Sequence, residues 1–194
     1  MEFKTAEGSL TIQSVHYDGP DAVRIGLMPP HATAHEWIGK PGAFITFSIT
    51  PDLQRSYTLV NPIESLPLEI RVKSIHGGKG SRFFNQQARI GTSINATLNK
   101  SSLWRSEWDL KSQHFVCFAG GIGITPIFSL IQYVMDKPEC GHKITLIYCN
   151  RSRKTSLFTE SLYELKDRIT FIPLYSEDES INDSQEAVSY THLR

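Results

Sequence analysis

The sequence predicts two domains, an antiparallel β-barrel followed by a partial α/β domain of the doubly wound, nucleotide-binding kind. Three observations carry that. Up to about Leu110 the chain reads as short strands of alternating polarity separated by turn residues, the pattern of a closed antiparallel barrel. From Phe115 a short apolar segment runs through Gly120, Gly121 and Gly123 into an amphipathic helix. Strand, helix, strand, helix and strand then follow one another, which is the βαβ arrangement of a parallel sheet.

In the first half, residues 10–15 and 22–27 alternate apolar and polar side chains. Gly39-Lys40-Pro41-Gly42 marks a turn, after which Ile45, Phe47 and Ile49 share one strand face. Leu68, Ile70 and Val72 alternate with Glu69, Arg71 and Lys73, the clearest half-buried strand in the chain. In the second half, residues 115–118 are short enough for a buried strand. Thr125 stands where a helix N-cap belongs and Pro126 at the first helical position. Ile127, Leu130, Ile131, Val134 and Met135 give that helix its apolar stripe. Residues 144–149 form a near-continuous apolar strand, as a sheet covered on both faces requires. Leu157, Phe158, Ser161, Leu162 and Leu165 make a second helical stripe, and residues 169–172 a third strand.

The glycine turn is the first stretch with chemistry in it. Glycines between strand and helix let a ligand approach the main chain, and the unpaired amides of a helix start favour phosphate. That is the geometry of a dinucleotide site. A turn that uses glycine only for packing is the plainer reading. A membrane span is a third, because residues 115–134 carry no charge. Its three glycines, Pro126, Thr125, Ser129 and Gln132, together with a one-sided apolar period, argue against it.

Composition narrows the classes. Lys+Arg and Asp+Glu number 20 each, so no general basic field exists to hold nucleic acid or an anionic membrane. The three cysteines lack metal-ligand spacing, and an odd number argues against a disulfide framework. No apolar leader opens the chain, and a cytoplasmic protein is expected.

Two further stretches lie in the first half. In Arg55-Ser56-Tyr57-Thr58, a strand places Arg55 and Tyr57 on one face. An arginine offers a forked phosphate contact, a tyrosine a ring to stack on, a threonine a hydroxyl. An ordinary barrel strand with an exposed arginine is the alternative. His76-Gly77-Gly78-Lys79-Gly80-Ser81-Arg82 has the glycines and serine of an anion-binding nest, or of a plain turn.

Taken in order, these motifs resemble the ferredoxin–NADP reductase superfamily, which joins a flavin-binding barrel carrying R-x-Y-S/T to a Rossmann-like nicotinamide domain opening with G-G-x-G-x-T-P. Within it the chain is most similar to reductase components of Rieske oxygenases, such as those of vanillate demethylase and phthalate dioxygenase. Arg71-Val72-Lys73 followed by Gly77-Gly78-Lys79-Gly80-Ser81 parallels their A-V-K strand and G-R-G-G-S, with the basic residue displaced by one position. Residues 146–153 are similar as well.

The resemblance implies roles. Arg55 holds the flavin phosphate, Tyr57 packs on the isoalloxazine, and Thr58, with Ser56 beside it, lies near the reactive N5. Val72, Lys73 and Ser74 border the flavin, and Gly80 and Ser81 cradle its phosphate. Thr125 stands near the flavin at the domain junction, Gly121, Ile122 and Gly123 meet the pyrophosphate of NAD(P)H, and Arg151, Ser152 and Arg153 lie toward its adenosine. Arg151 and Arg153 read equally well as solvated loop charges. The activity implied is transfer of hydride from NAD(P)H to bound flavin, with single electrons passing on to an iron–sulfur or oxygenase acceptor such as a Rieske oxygenase or ferredoxin. A flavin-binding electron-transfer subunit of a larger dehydrogenase, or a binding module without turnover, are the alternatives. FMN is the expected flavin and FAD the alternative, since no stretch clearly supplies room for an adenosine half. The expected domains are 1–110, 111–186 (incomplete), and a non-native tail over 187–194. The family's C-G-P motif is missing, residues 176–180 are acidic, and Ala187-Val188-Ser189-Tyr190-Thr191-His192-Leu193-Arg194 reads like translated adapter sequence. A [2Fe–2S] cluster is expected only if a further C-terminal domain carries it.

Overall fold

The computed structural model describes residues 6–61, 66–101, 103–105, 108 and 112–177; the expected 187–194 tail and most of the acidic segment lie outside them. Six strands make the first sheet: β1 (Glu7–Tyr17), β2 (Ala22–Met28), β3 (Phe44–Thr50), β4 (Leu53–Thr58), β5 (Leu68–Lys73) and β6 (Ser93–Asn99). A short helix, α1 (Lys79–Arg82), lies between β5 and β6. All pairings are antiparallel, in the order β4-β3-β6-β1-β2-β5, nearly closed into a barrel with β4 and β5 at the two ends. Register follows from burial, because a one-residue slip would turn every inward side chain out. Leu10 stands opposite Ile94, Ile25 opposite Ile70 and Ile45 opposite Leu98, and all six are buried. Trp37 and Phe84 plug the interior.

One strand of the barrel matches the sequence expectation and one departs from it. β6 carries the same alternation, with Ile94, Ala96 and Leu98 buried between Asn95, Thr97 and Asn99, though the sequence analysis does not single it out. On β5 the polar face does not meet water throughout: Arg71 is only 8 % exposed.

The second sheet is parallel, in the order β7 (His114–Gly120), β8 (Lys143–Asn150), β9 (Thr170–Tyr175). Helices α2 (Ile124–Met135) and α3 (Thr159–Glu164) fill the connections. Ile124, Leu130, Ile131 and Val134 of α2 pack with Cys117, Ala119, Ile144, Leu146 and Tyr148. Trp104 joins this second core, its ring 4.6 Å from that of Tyr133. On the other face of β7, Val116 and Phe118 are 55 % and 71 % exposed, so the described residues cover that strand on one side only. Among the described residues no helix is long and apolar enough to cross a membrane.

The start of α2 is also corrected. A 3₁₀ turn over Gly121–Gly123 leads straight into the helix, which begins at Ile124 with Gly123 as its cap. Thr125 is therefore not the N-cap. It lies buried in the first turn, and its hydroxyl donates to the Ile122 carbonyl at 3.1 Å.

Candidate functional site

The ends of the barrel sheet define the site. Because β4 and β5 share no ladder, a cleft of about 460 Å³ opens at their seam and is closed on its far side by the start of the nucleotide sheet's first helix. Arg55, Ser56, Tyr57 and Thr58 enter it from β4 and Lys73 from β5, with Gly80 and Ser81 from α1 and Ile122, Gly123 and Thr125 from the turn and helix that follow β7. Three stretches distant in sequence thus meet in one hollow. Its lining carries Arg55, Arg71 and Lys73 and no carboxylate, a lining suited to an anion.

Each wall has a local cause. Tyr57 stands opposite Ile45 on β3, and its ring rests edge-on against Phe84, centroids 5.1 Å apart. Burial pushes the Tyr57 phenol up, partly opposed by the Arg55 charge, so it stays protonated at neutral pH. Helix α1 continues as a π-helical turn, Phe83–Gln87. At Gly80 it approaches β4 so closely that a Cβ would stand 2.5 Å from Arg55 Cγ and 3.0 Å from the Tyr57 hydroxyl. Ser81 shapes the turn from inside: its buried hydroxyl accepts from the Ile75 amide at 3.2 Å and donates to the Gly78 carbonyl at 3.1 Å.

On the opposite wall, a Cβ at Gly120, Gly121 or Gly123 would meet nothing within 4 Å, so this backbone is open to an approaching ligand. Gly121 has φ +49°, a left-handed conformation that favours glycine. Tyr148 fixes the turn from below, its buried hydroxyl donating to the Gly121 carbonyl and accepting from the Leu157 amide, both at 3.2 Å.

Several expected residues stand elsewhere. Val72 is fully buried and points into the barrel core, as its inward strand position demands. Ser74 is exposed, and Gly121 supports the cleft without lining it. Arg151 is exposed and Ser152 is bound up in its own loop with Thr155 and Ser156. Arg153 lines a second cleft of about 890 Å³, with Arg24, Lys154 and Arg71. Arg71 belongs to both hollows and is not among the site residues the sequence suggests, because strand alternation marks it as a solvent-facing charge. It is held by Asp18 and by Glu69 at 2.9 Å, and its guanidinium lies 5.0 Å from the centre of the Phe158 ring. Phe158 in turn is stacked on Phe128, centroids 4.0 Å apart, and has φ +59°, a strained value for a bulky residue. Among the described residues no group of three or more His, Cys, Asp or Glu is gathered that could hold a metal ion.

Residues 117–191 match the family described as the oxidoreductase NAD-binding domain. A component of the 1,2-phenylacetyl-CoA epoxidase of Escherichia coli is 26 % identical over 88 % of this chain and 49 % of its own length. The phenoxybenzoate dioxygenase subunit beta of Ectopseudomonas oleovorans is 30 % identical over 83 % of this chain and 49 % of its own. The chain carries an oxidoreductase NAD-binding domain. The fold of both domains is shared with phthalate dioxygenase reductase, at a TM-score of 0.73 and 20 % identity over 92 % of this chain and 54 % of that one. It is shared too with the flavohem-like FAD/NAD-binding domain of a Vibrio cholerae nitric oxide dioxygenase, at 0.72 and 17 % over 97 % and 83 %. The chain spans about half the length of these curated relatives.

Proposed function

We propose that the protein is an NAD(P)H-dependent flavin reductase that passes electrons to an iron–sulfur or oxygenase acceptor, a Rieske oxygenase or ferredoxin among them. The seam cleft carries this reading: it unites the R-x-Y-T strand, the Gly-Gly-Lys-Gly-Ser turn and the start of α2 around one cationic hollow. The relatives, reductase and dioxygenase components among them, point the same way. The residues fit a flavin, since glycine at position 80 lets the turn close on β4, so that a phosphate-holding turn, a cation and a ring share one wall of the cleft.

A bound flavin supplies a hydride acceptor that can release electrons singly. The chain supplies position and charge. Arg55 and the Gly80–Ser81 turn would hold the phosphate, Tyr57 would offer the ring, and Thr58 from β4 and Thr125 from α2 would face the reacting region. Lys73 is steadied by Asp21 at 3.2 Å and by the Thr155 carbonyl at 3.3 Å. The nicotinamide enters beside Ile122 and Gly123, and its adenosine runs over Arg71 into the cleft of Arg153.

The purified protein is expected to be yellow and to bleach anaerobically with NADH or NADPH. Arg55→Ala should weaken flavin binding by about 1.5–3 kcal/mol, the value of a charge-assisted contact. Colourless protein that takes up no added flavin would overturn the proposal, as would flavin that neither nucleotide reduces. Gly80→Val forces side-chain atoms against Arg55 and Tyr57, and an overpacking cost of about 1–3 kcal/mol is expected, measured as lost flavin affinity as the two residues shift. Unchanged affinity in that variant would mean the flavin does not lie against Gly80.

A further inference from the structure

The turn Gly39-Lys40-Pro41-Gly42 does more than lead the chain into β3: it grips α2 from the barrel. Lys40 donates from Nζ to the Tyr133 hydroxyl at 2.8 Å and stands 4.9 Å from the centre of that ring. The Gly42 amide donates to the Ser129 hydroxyl at 3.4 Å. Lys137, four residues beyond Tyr133, donates to the same tyrosine hydroxyl at 2.7 Å. Thr125, Ser129 and Tyr133 recur at every fourth position, so they form one stripe of α2, and all three are buried. The first of them, Thr125, lines the seam cleft. The turn is equally fixed on its barrel side. Gly42 has φ +78°, and a Cβ there would stand 2.5 Å from Ser101 Oγ and 2.9 Å from Leu103 Cβ. The Ala43 amide closes the turn onto the Lys40 carbonyl at 2.9 Å, and the Ala43 carbonyl accepts from the Leu59 amide at 2.8 Å. Leu59 directly follows Thr58, which lines the same cleft from β4.

Resting on the flavin-reductase reading above, we propose that Lys40, Ser129 and Tyr133 are positioning residues for hydride transfer. They set the distance between a flavin held by the barrel and a nicotinamide held at the start of α2. In that step the C4–H bond of the reduced nicotinamide breaks and an N–H bond forms at flavin N5. Two electrons and one proton move together, so the nucleotide is oxidised and the flavin reduced. The two partners rest on different domains, and their spacing is therefore the spacing between the barrel and α2. A misplacement of about 1 Å can cost on the order of 100-fold in such a step. From Thr125 to Tyr133 the helix runs about 12 Å as a stiff rod, so slack at Tyr133 is carried to the cleft. Apolar packing alone would let the helix slide along the barrel, whereas hydrogen bonds are directional and fix its place. Lys40 and Tyr133 thus join two short arms, one ending at Thr58 and the other at Thr125.

The test compares Lys40→Met, Tyr133→Phe and Ser129→Ala with the wild type. In anaerobic stopped-flow experiments, Lys40→Met and Tyr133→Phe should each lower the limiting rate of flavin reduction about tenfold or more. Affinities for nucleotide and for flavin should stay within about twofold. Lys40→Arg, which keeps a donor, should recover most of the rate. Because Lys40→Met and Tyr133→Phe break one bond, the double variant should be no slower than the slower single variant. A second readout needs no cofactor. In the apoprotein, hydrogen exchange at the Gly42 amide should quicken about tenfold in Ser129→Ala, the worth of one hydrogen bond. Should Tyr133→Phe fail to fold, Lys40→Met decides, since that side chain is only half-buried. A lower melting temperature with wild-type limiting rates, losses that multiply in the double variant, equal losses of affinity and rate, or unchanged Gly42 exchange would each overturn the inference. Wild-type flavin that neither nucleotide reduces would overturn the reductase reading instead, and exchange at Gly42 would still decide whether the turn holds the helix.

Discussion

Phe84→Ala is expected to lose about 3–5 kcal/mol of stability, the cost of emptying a fully buried aromatic site. The ring sits in the π-helical turn and is inaccessible to solvent. It meets Phe47 at 5.2 Å, Tyr57 at 5.1 Å and Phe83 at 5.1 Å, each edge to face. Contacts of that geometry contribute beyond the area they bury, and three of them converge on one residue. The residue also ties the barrel core to the site, since Tyr57 walls the seam cleft. Chemical denaturation should therefore show a lower midpoint with little change in slope, and the refolded variant should retain flavin poorly even where it remains folded. Phe84→Leu, which keeps most of the volume, should lose far less. A loss below about 1 kcal/mol for Phe84→Ala would mean that the neighbouring rings collapse into the space and that the cluster does not brace Tyr57.

How much of this can be read in the sequence depends on whether a signal is local. The R-x-Y-T strand, the glycine-serine turn and the strand-to-helix turn are each contiguous, and all three contribute to the cleft. The strands with clean alternation, such as Leu68, Ile70 and Val72, are equally legible, because burial on one face imposes a period of two. The same period misplaces Arg71. Alternation gives the face a side chain takes but not what lies over that face, and here the β1–β2 turn and Phe158 cover it. Val72 shows the converse: its motif points to the cofactor, while its place on the strand points it into the core. Thr125 looks like a cap because Thr-Pro is a common helix opening, yet the preceding glycines already form a 3₁₀ turn and supply the start themselves. Tyr148 reads simply as an apolar strand residue. Its hydroxyl ties two loops together only because β7 and β8 lie side by side.

Arg71→Met should destabilise the protein by about 2–3 kcal/mol, somewhat below the 3–5 kcal/mol typical of breaking a fully buried pair. The discount follows from its partners, as the Asp18 and Glu69 side chains are 30 % and 29 % exposed while Arg71 is 8 % exposed. Removing the guanidinium leaves two carboxylates facing each other across a partly dry junction and takes the cation from the Phe158 ring. Methionine fills much of the same space, so lost packing is a minor part of the effect. The sign of the partner changes separates charge from shape. Asp18→Asn/Glu69→Gln/Arg71→Met, which neutralises every member, should recover most of the loss, because a buried ion pair replaced whole costs far less than one broken in half. Arg71 also lies where the seam cleft meets the cleft of Arg153. The triple variant should therefore regain stability without regaining affinity for NAD(P)H, and that split between melting temperature and nucleotide binding is the measurement that matters. If the triple variant stays as unstable as Arg71→Met, the junction is held by the packing of the arginine stem on Phe158 and not by its charge.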